Sequence, residues 1–172
     1  KLFFEKLELR KSIFYQATAF HADGQWDAAL SQLSELKGYL LPYEKDMERF
    51  EIKIFSELVA QVTQYHQEGS HQKALAHFNL LEKYTPFNEI KLLNWQAQSY
   101  RATLQGAAAI RSLEKILLLG HRTVYTYVEL AEIYADLMED SKSALIYYET
   151  ANTYAQKYYE SFLSFFLLFY FS

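Results

Sequence analysis

Apolar residues recur along this chain at spacings of three and four, the signature of amphipathic helices rather than strands. The helical stretches come in pairs, and each pair is interrupted by a short polar break. The breaks fall at Asp23-Gly24-Gln25, at Glu68-Gly69-Ser70, near Gln105-Gly106 and at Glu139-Asp140-Ser141. A few residues into each second stretch stands an alanine: Ala29, Ala74, Ala109 and Ala144, separated by 45, 35 and 35 residues. A small residue returning at one phase predicts a close approach of two helix backbones once per repeat. A period in the mid-thirties in a helical chain predicts stacked helical hairpins.

Other columns follow the same phase. One holds Ile13, Leu58, Leu93 and Tyr127, a second Ala17, Val62, Ala97 and Ala131, and an aromatic one Phe20, Tyr65, Tyr100 and Tyr134. After the alanines come Leu33, Phe78, Leu113 and Tyr148, then Leu36, Leu81, Ile116 and Ala151. These columns place hairpins at about 10–42, 43–87, 88–121 and 122–157, in a single domain over 1–172. Pro86 stops the second hairpin, since proline cannot continue a helix, and Gly120 is placed to cap the third.

Two segments break the period. Ten extra residues between the first two alanines, around Pro42 to Lys53, carry Met47, Phe50, Ile54 and Leu58 at helical spacing. They predict a lengthened first helix in the second hairpin. Two uses stay open for it: an arm projecting toward a partner or a second copy, or packing that covers the first hairpin. The second break is the C-terminal run Phe162 to Phe171, apolar except for Ser164, expected to form a separate helix over about 158–172. As a helix of ten residues it is roughly 15 Å long, half of a bilayer's hydrocarbon core. Membrane contact is therefore expected only if the run continues beyond residue 172. Phe162, Phe165, Phe166 and Phe169 are instead the expected surface for docking or self-association.

At this point the columns resemble the tetratricopeptide repeat family. Its hairpin carries a small residue, an aromatic three later, and an alanine after the turn. Here that reads Ala17, Phe20, Ala29; Ala97, Tyr100, Ala109; and Ala131, Tyr134, Ala144. Val62 departs from the small residue in the second unit, a late alanine occurs only as Ala151, and a closing proline only as Pro86. The resemblance covers roughly residues 10–156. It implies an all-α, right-handed solenoid of about four degenerate hairpins, followed by the apolar C-terminal helix. It also implies a concave groove lined by the first helix of each hairpin, at positions matching Lys11, Phe14, Thr18 and His21; Ser56, Val59, Thr63 and His66; Lys91, Asn94, Gln98 and Arg101; and Tyr125, Val128, Glu132 and Ala135.

The third set combines two cations with two amides on one stripe, a pattern suited to a peptide backbone and a carboxylate. His21, His66 and Arg101 stand at equivalent positions. The expectation is a partner-binding groove made of Lys91, Asn94, Gln98, Arg101, His66 and His21. An acidic peptide would be held more firmly below about pH 6.5 as the histidines gain charge.

Composition narrows the function. The 172 residues include 17 basic and 21 acidic side chains, a net charge of −4, so no basic excess invites nucleic acid. Aromatics make up 17%, and there is no cysteine, which removes thiolate zinc sites and a cysteine nucleophile. No glycine-rich phosphate loop, Gly-x-Ser-x-Gly or His-Glu-x-x-His occurs. His66 and His71 are poorly spaced to share a metal on one helix face. The expectation is a non-enzymatic protein without cofactor or metal: a scaffold or adaptor binding a peptide or helix of another protein. Two alternatives stand beside it, a self-associating assembly subunit and an export-type chaperone. The chain opens on Lys1, and a processed chain is expected, with its compartment open among cytoplasm, periplasm and a membrane tether.

Overall fold

The computed structural model describes residues 2–37 and 44–170, with side chains at 4, 6–37 and 45–160. Among the described residues there are eight helices and no strand: α1 (Leu2–Ala22), α2 (Trp26–Leu36), α3 (Glu44–Gln67), α4 (His71–Tyr84), α5 (Ile90–Ala102), α6 (Gly106–Leu118), α7 (Val124–Asp136) and α8 (Ser141–Tyr170). They pair as α1–α2, α3–α4, α5–α6 and α7–α8, the four hairpins that the apolar columns predict. Two compact units result, one up to Pro86 and one from Phe87.

The turns explain the period. At three of them the chain leaves the first helix through a residue with positive φ, after which the next N–H donates back to the aromatic column. Gln25 donates to the Phe20 carbonyl, Ser70 to Tyr65 and Gln105 to Tyr100, each at 2.8 Å. This five-residue closure satisfies a carbonyl that the helix end would otherwise leave open. The same residue then opens the second helix, its carbonyl accepting from the alanine four places on: Ala29, Ala74, Ala109 and, from Asp140, Ala144. In the fourth turn one more residue is inserted, and Asp140 reaches Tyr134 at 2.9 Å. The positive-φ residues are Gly24, Gly69, Leu104 and Glu139, five places before each alanine. Gly106, read in the sequence as part of the third turn, is instead the first residue of α6. A Cβ there would meet Leu137 Cβ and Met138 Sδ at 3.1 Å.

Burial follows the columns. The four alanines are buried, as are Ala17, Val62, Ala97 and Ala131. Leu33, Phe78 and Leu113 are buried as well, whereas Tyr148, their counterpart in α8, is exposed. α8 seats Tyr147 instead. Its ring stacks on Tyr134 at 5.3 Å, and two turns later Tyr154 leans on Tyr127 at 5.0 Å.

In the first unit the lengthened helix is present as the 24-residue α3, and it serves packing. Phe50 meets Phe14 edge-on at 5.8 Å, Ile54 is buried, and Glu51 pairs with Lys37 at 2.6 Å. α1, at 21 residues, runs to a similar length, so the part of α3 from Phe50 onward lies against the first hairpin rather than standing out as an arm. Pro42 and Tyr43 lie outside the described residues. Asp27 ties α2 to α4, accepting from Lys83 at 2.7 Å and from the Tyr84 hydroxyl at 2.6 Å. Those two donors, Lys83 first, hold its carboxyl below the usual range.

The separate C-terminal helix is not observed: α8 runs without a break through the expected boundary at 158. Neither glycine nor proline occurs between Ser141 and Tyr170, so nothing in the local chemistry ends the helix there. The side chains of Phe162, Phe165, Phe166 and Phe169 lie outside the described residues. Among the described residues no helix is long and apolar enough to cross a membrane.

Candidate functional site

The positions expected to line a groove fall into two environments. In the first unit, His21 Nε2 lies 2.8 Å from Glu57 Oε2, with the ring edge-on to Trp26 at 5.1 Å and to Phe50 at 5.3 Å. Its polar edge is thus turned to α3. Phe14 is packed on Phe50, while Thr18 and Thr63 donate to carbonyls of their own helices, at Tyr15 and Val59. His66 lies 6.3 Å from His71, ring to ring. Burial, and then the nearby His71, lowers its pKa below the ordinary 6.5. Protonation of His66 therefore comes at more acid pH than the groove reading expects.

In the second unit, α5 and α7 join through a polar row. Gln98 Nε2 donates to the Tyr125 hydroxyl at 2.9 Å, and that hydroxyl donates to Glu129 Oε1 at 2.6 Å. Burial, then the bond to Glu129, raises the Tyr125 pKa. One turn along, Arg101 donates to Glu132 Oε2 at 2.6 Å and lies 3.6 Å from Asp136 Oδ2. Partial burial works against the guanidinium charge; Glu132, then Glu129 and Asp136, outweigh it and hold the group above its ordinary pKa. Lys91 sits 4.6 Å from the centre of the Trp95 ring, a cation–π contact on the same helix.

The structure thus brings Gln98 and Arg101 into one network and places Asn94 one turn before Gln98. Two buried acceptors in this region, Asn94 Oδ1 and Glu129 Oε2, have no hydrogen-bond partner among the described residues. Reading α5 alone gives a cationic stripe. α7 brings three carboxylates to it, and the local balance becomes acidic. The signal was present in the spacing of Glu129, Glu132 and Asp136, three and four apart and hence on one face of α7. Spacing within α5 alone carries no trace of it, because the charge of a neighbouring helix is not written in that stripe.

The rest of the chemistry is sparse. Among the described residues no group of three or more histidine, aspartate or glutamate side chains is arranged to hold a metal ion. The α5–α7 row offers donors, acceptors and half-exposed charges. Compared with protein-family models and with curated proteins, the chain finds no match.

Proposed function

We propose that the chain is a protein-binding scaffold that holds a peptide or helix of another protein along α5 and α7. The observation that carries this reading is the row of Gln98, Tyr125, Glu129, Arg101, Glu132 and Asp136, ionic and amide groups cross-linked between two first helices and still partly open to solvent. Such a row can pair with a backbone through the Gln98 amide and with a charged side chain through the carboxylates. Since three carboxylates surround one guanidinium, a segment bearing a lysine or arginine suits this face better than the acidic peptide expected from α5 alone.

The test is a selection of random peptides on the immobilised chain, followed by hydrogen-exchange footprinting and titration. Enrichment of basic peptides that protect α5 and α7, with affinity falling about tenfold (some 1.4 kcal/mol) in Asp136→Asn and Glu132→Gln, is the expected result. Peptides that protect other helices, or that bind both variants as well as wild type, would remove the site from consideration.

A further inference from the structure

Two residues along a helix are about 200° apart, so Tyr127 lies on the side of α7 away from Tyr125 and Glu129. On that side a hollow of about 590 Å³ opens between the end of α6, its link to α7, and α8. Its size falls in the range of roughly 300–1,000 Å³ typical of small-molecule sites. Tyr127 and Tyr147 line it with ring centres 6.5 Å apart and planes 26° from parallel. Each ring is braced by a tyrosine outside the hollow, Tyr127 by Tyr154 at 5.0 Å and Tyr147 by Tyr134 at 5.3 Å. Leu117 and the exposed Leu118 add an apolar wall. All of these residues belong to the unit from Phe87 onward. The hollow lies between two successive hairpins, not at an end of the series.

Two exposed charges, Arg122 and Glu114, also line it. The backbone fixes where Arg122 starts. α6 closes in a Schellman motif, with Gly120 at φ 86°, its N–H donating to the Leu117 carbonyl at 3.0 Å and the His121 N–H donating to Ile116 at 3.2 Å. The Arg122 N–H then turns back to the Gly120 carbonyl at 3.1 Å, and Thr123 caps α7. Arg122 acts on the Tyr127 end of the hollow. Burial, then Tyr154, raises the Tyr127 pKa, and the Arg122 charge opposes that rise. Glu114 acts on the Tyr147 end, where it adds to the rise that burial and Tyr134 impose on the Tyr147 pKa. Both phenols are therefore uncharged near neutral pH. Among the described residues neither Arg122 nor Glu114 forms an ion pair. The hollow thus presents a cation at one ring, an anion at the other, and apolar surface between them.

We propose that this hollow binds a short zwitterionic peptide of dipeptide size, its carboxylate on Arg122, its ammonium on Glu114, and an apolar or aromatic side chain between the leucines and the tyrosine rings. A guanidinium takes a carboxylate through two parallel hydrogen bonds, and a carboxylate accepts from an ammonium. The spacing of the charges selects the length. A free amino acid carries both charges on one carbon, whereas here they act at rings 6.5 Å apart. Two extended residues span at most about 6.6–7.2 Å, which matches. A fatty acid or a phosphate would answer Arg122 alone and set its own charge against Glu114. None of the residues used belongs to the α5–α7 row, so the site stands independently of the function proposed above.

The test is a calorimetric titration of the full chain with leucyl-phenylalanine, beside its N-acetylated form, its C-terminal amide and free phenylalanine. The dipeptide should bind, and each of the other three should bind about tenfold more weakly, the scale of one lost charge-assisted hydrogen bond. Arg122→Gln should weaken the dipeptide about tenfold yet bind the amide as wild type does. Glu114→Gln should likewise weaken the dipeptide and leave the N-acetylated form unaffected. This pairing of each terminus with one side chain is a pattern that a general disturbance of the fold does not produce. Both positions are exposed, and unchanged urea midpoints check that the variants remain folded. No binding of the dipeptide at about 1 mM, phenylalanine binding as tightly as the dipeptide, or affinities that neither variant alters would overturn the proposal. Equal weakening toward all four ligands in a variant would overturn it too, because the termini would then not be read by Arg122 and Glu114.

Discussion

Leu104 holds a backbone position, at φ 60°, that Gly24 and Gly69 hold in the two earlier hairpins. For a residue with a Cβ this conformation costs about 1–2 kcal/mol, of which glycine's greater loss of chain entropy would return roughly 0.5–1 kcal/mol. Its side chain is exposed, so little packing is lost on removing it. Leu104→Gly should therefore stabilise the protein by about 0.5–1 kcal/mol, read as a higher urea midpoint at unchanged slope. A lower midpoint would mean that the strain is absent. His66 sets a second expectation at this scale. Its folded pKa is lowered by burial and by His71, so the folded state favours the neutral ring. That contribution is complete above the unfolded value near 6.5 and is lost as pH falls through the lowered folded value. The urea midpoint should decline on acidification from about pH 7 to about pH 5, and His66→Gln should make the decline shallower. An unchanged slope would separate His66 from the acid response.

Helices and turns were the most legible part of the sequence, for a physical reason. Ala29, Ala74, Ala109 and Ala144 open each second helix with a bond back to the turn, so one residue type marks both a turn and a buried position. The same regularity hid the exceptions. Gly106 looked like a turn residue because glycine often is one, but it serves the approach of α7, and the turn's unusual φ falls on a leucine. Tyr148 was placed in the core by its column, although nothing described covers that side of α8. The candidate site was half legible. Lys91, Asn94, Gln98 and Arg101 share a stripe as their spacing required. Their charge environment depended on α7, which spacing within α5 cannot reveal.

For the whole molecule, stability is expected to be distributed rather than pooled, as in chains built of repeating hairpins. The two compact units, to Pro86 and from Phe87, give this a measurable form. Ala29 is fully buried, and Ala29→Leu should cost about 1–3 kcal/mol by overpacking. Amide exchange should speed up through α1–α4 much more than through α5–α8. Equal acceleration in all eight helices would show one indivisible cooperative unit instead.

The four turn closures also bear on how fast order can arise. Each hairpin is locked by bonds spanning five or six residues, so its ends meet after a short search, and folding rates rise as contacts become more local. Any of the four can act as a starting point. They are not equal, because a chain entering the first two turns passes through glycine and one entering the last two must force a leucine or a glutamate into the left-handed region. Order should therefore spread from the N-terminal hairpins, the half of the chain that emerges first during synthesis.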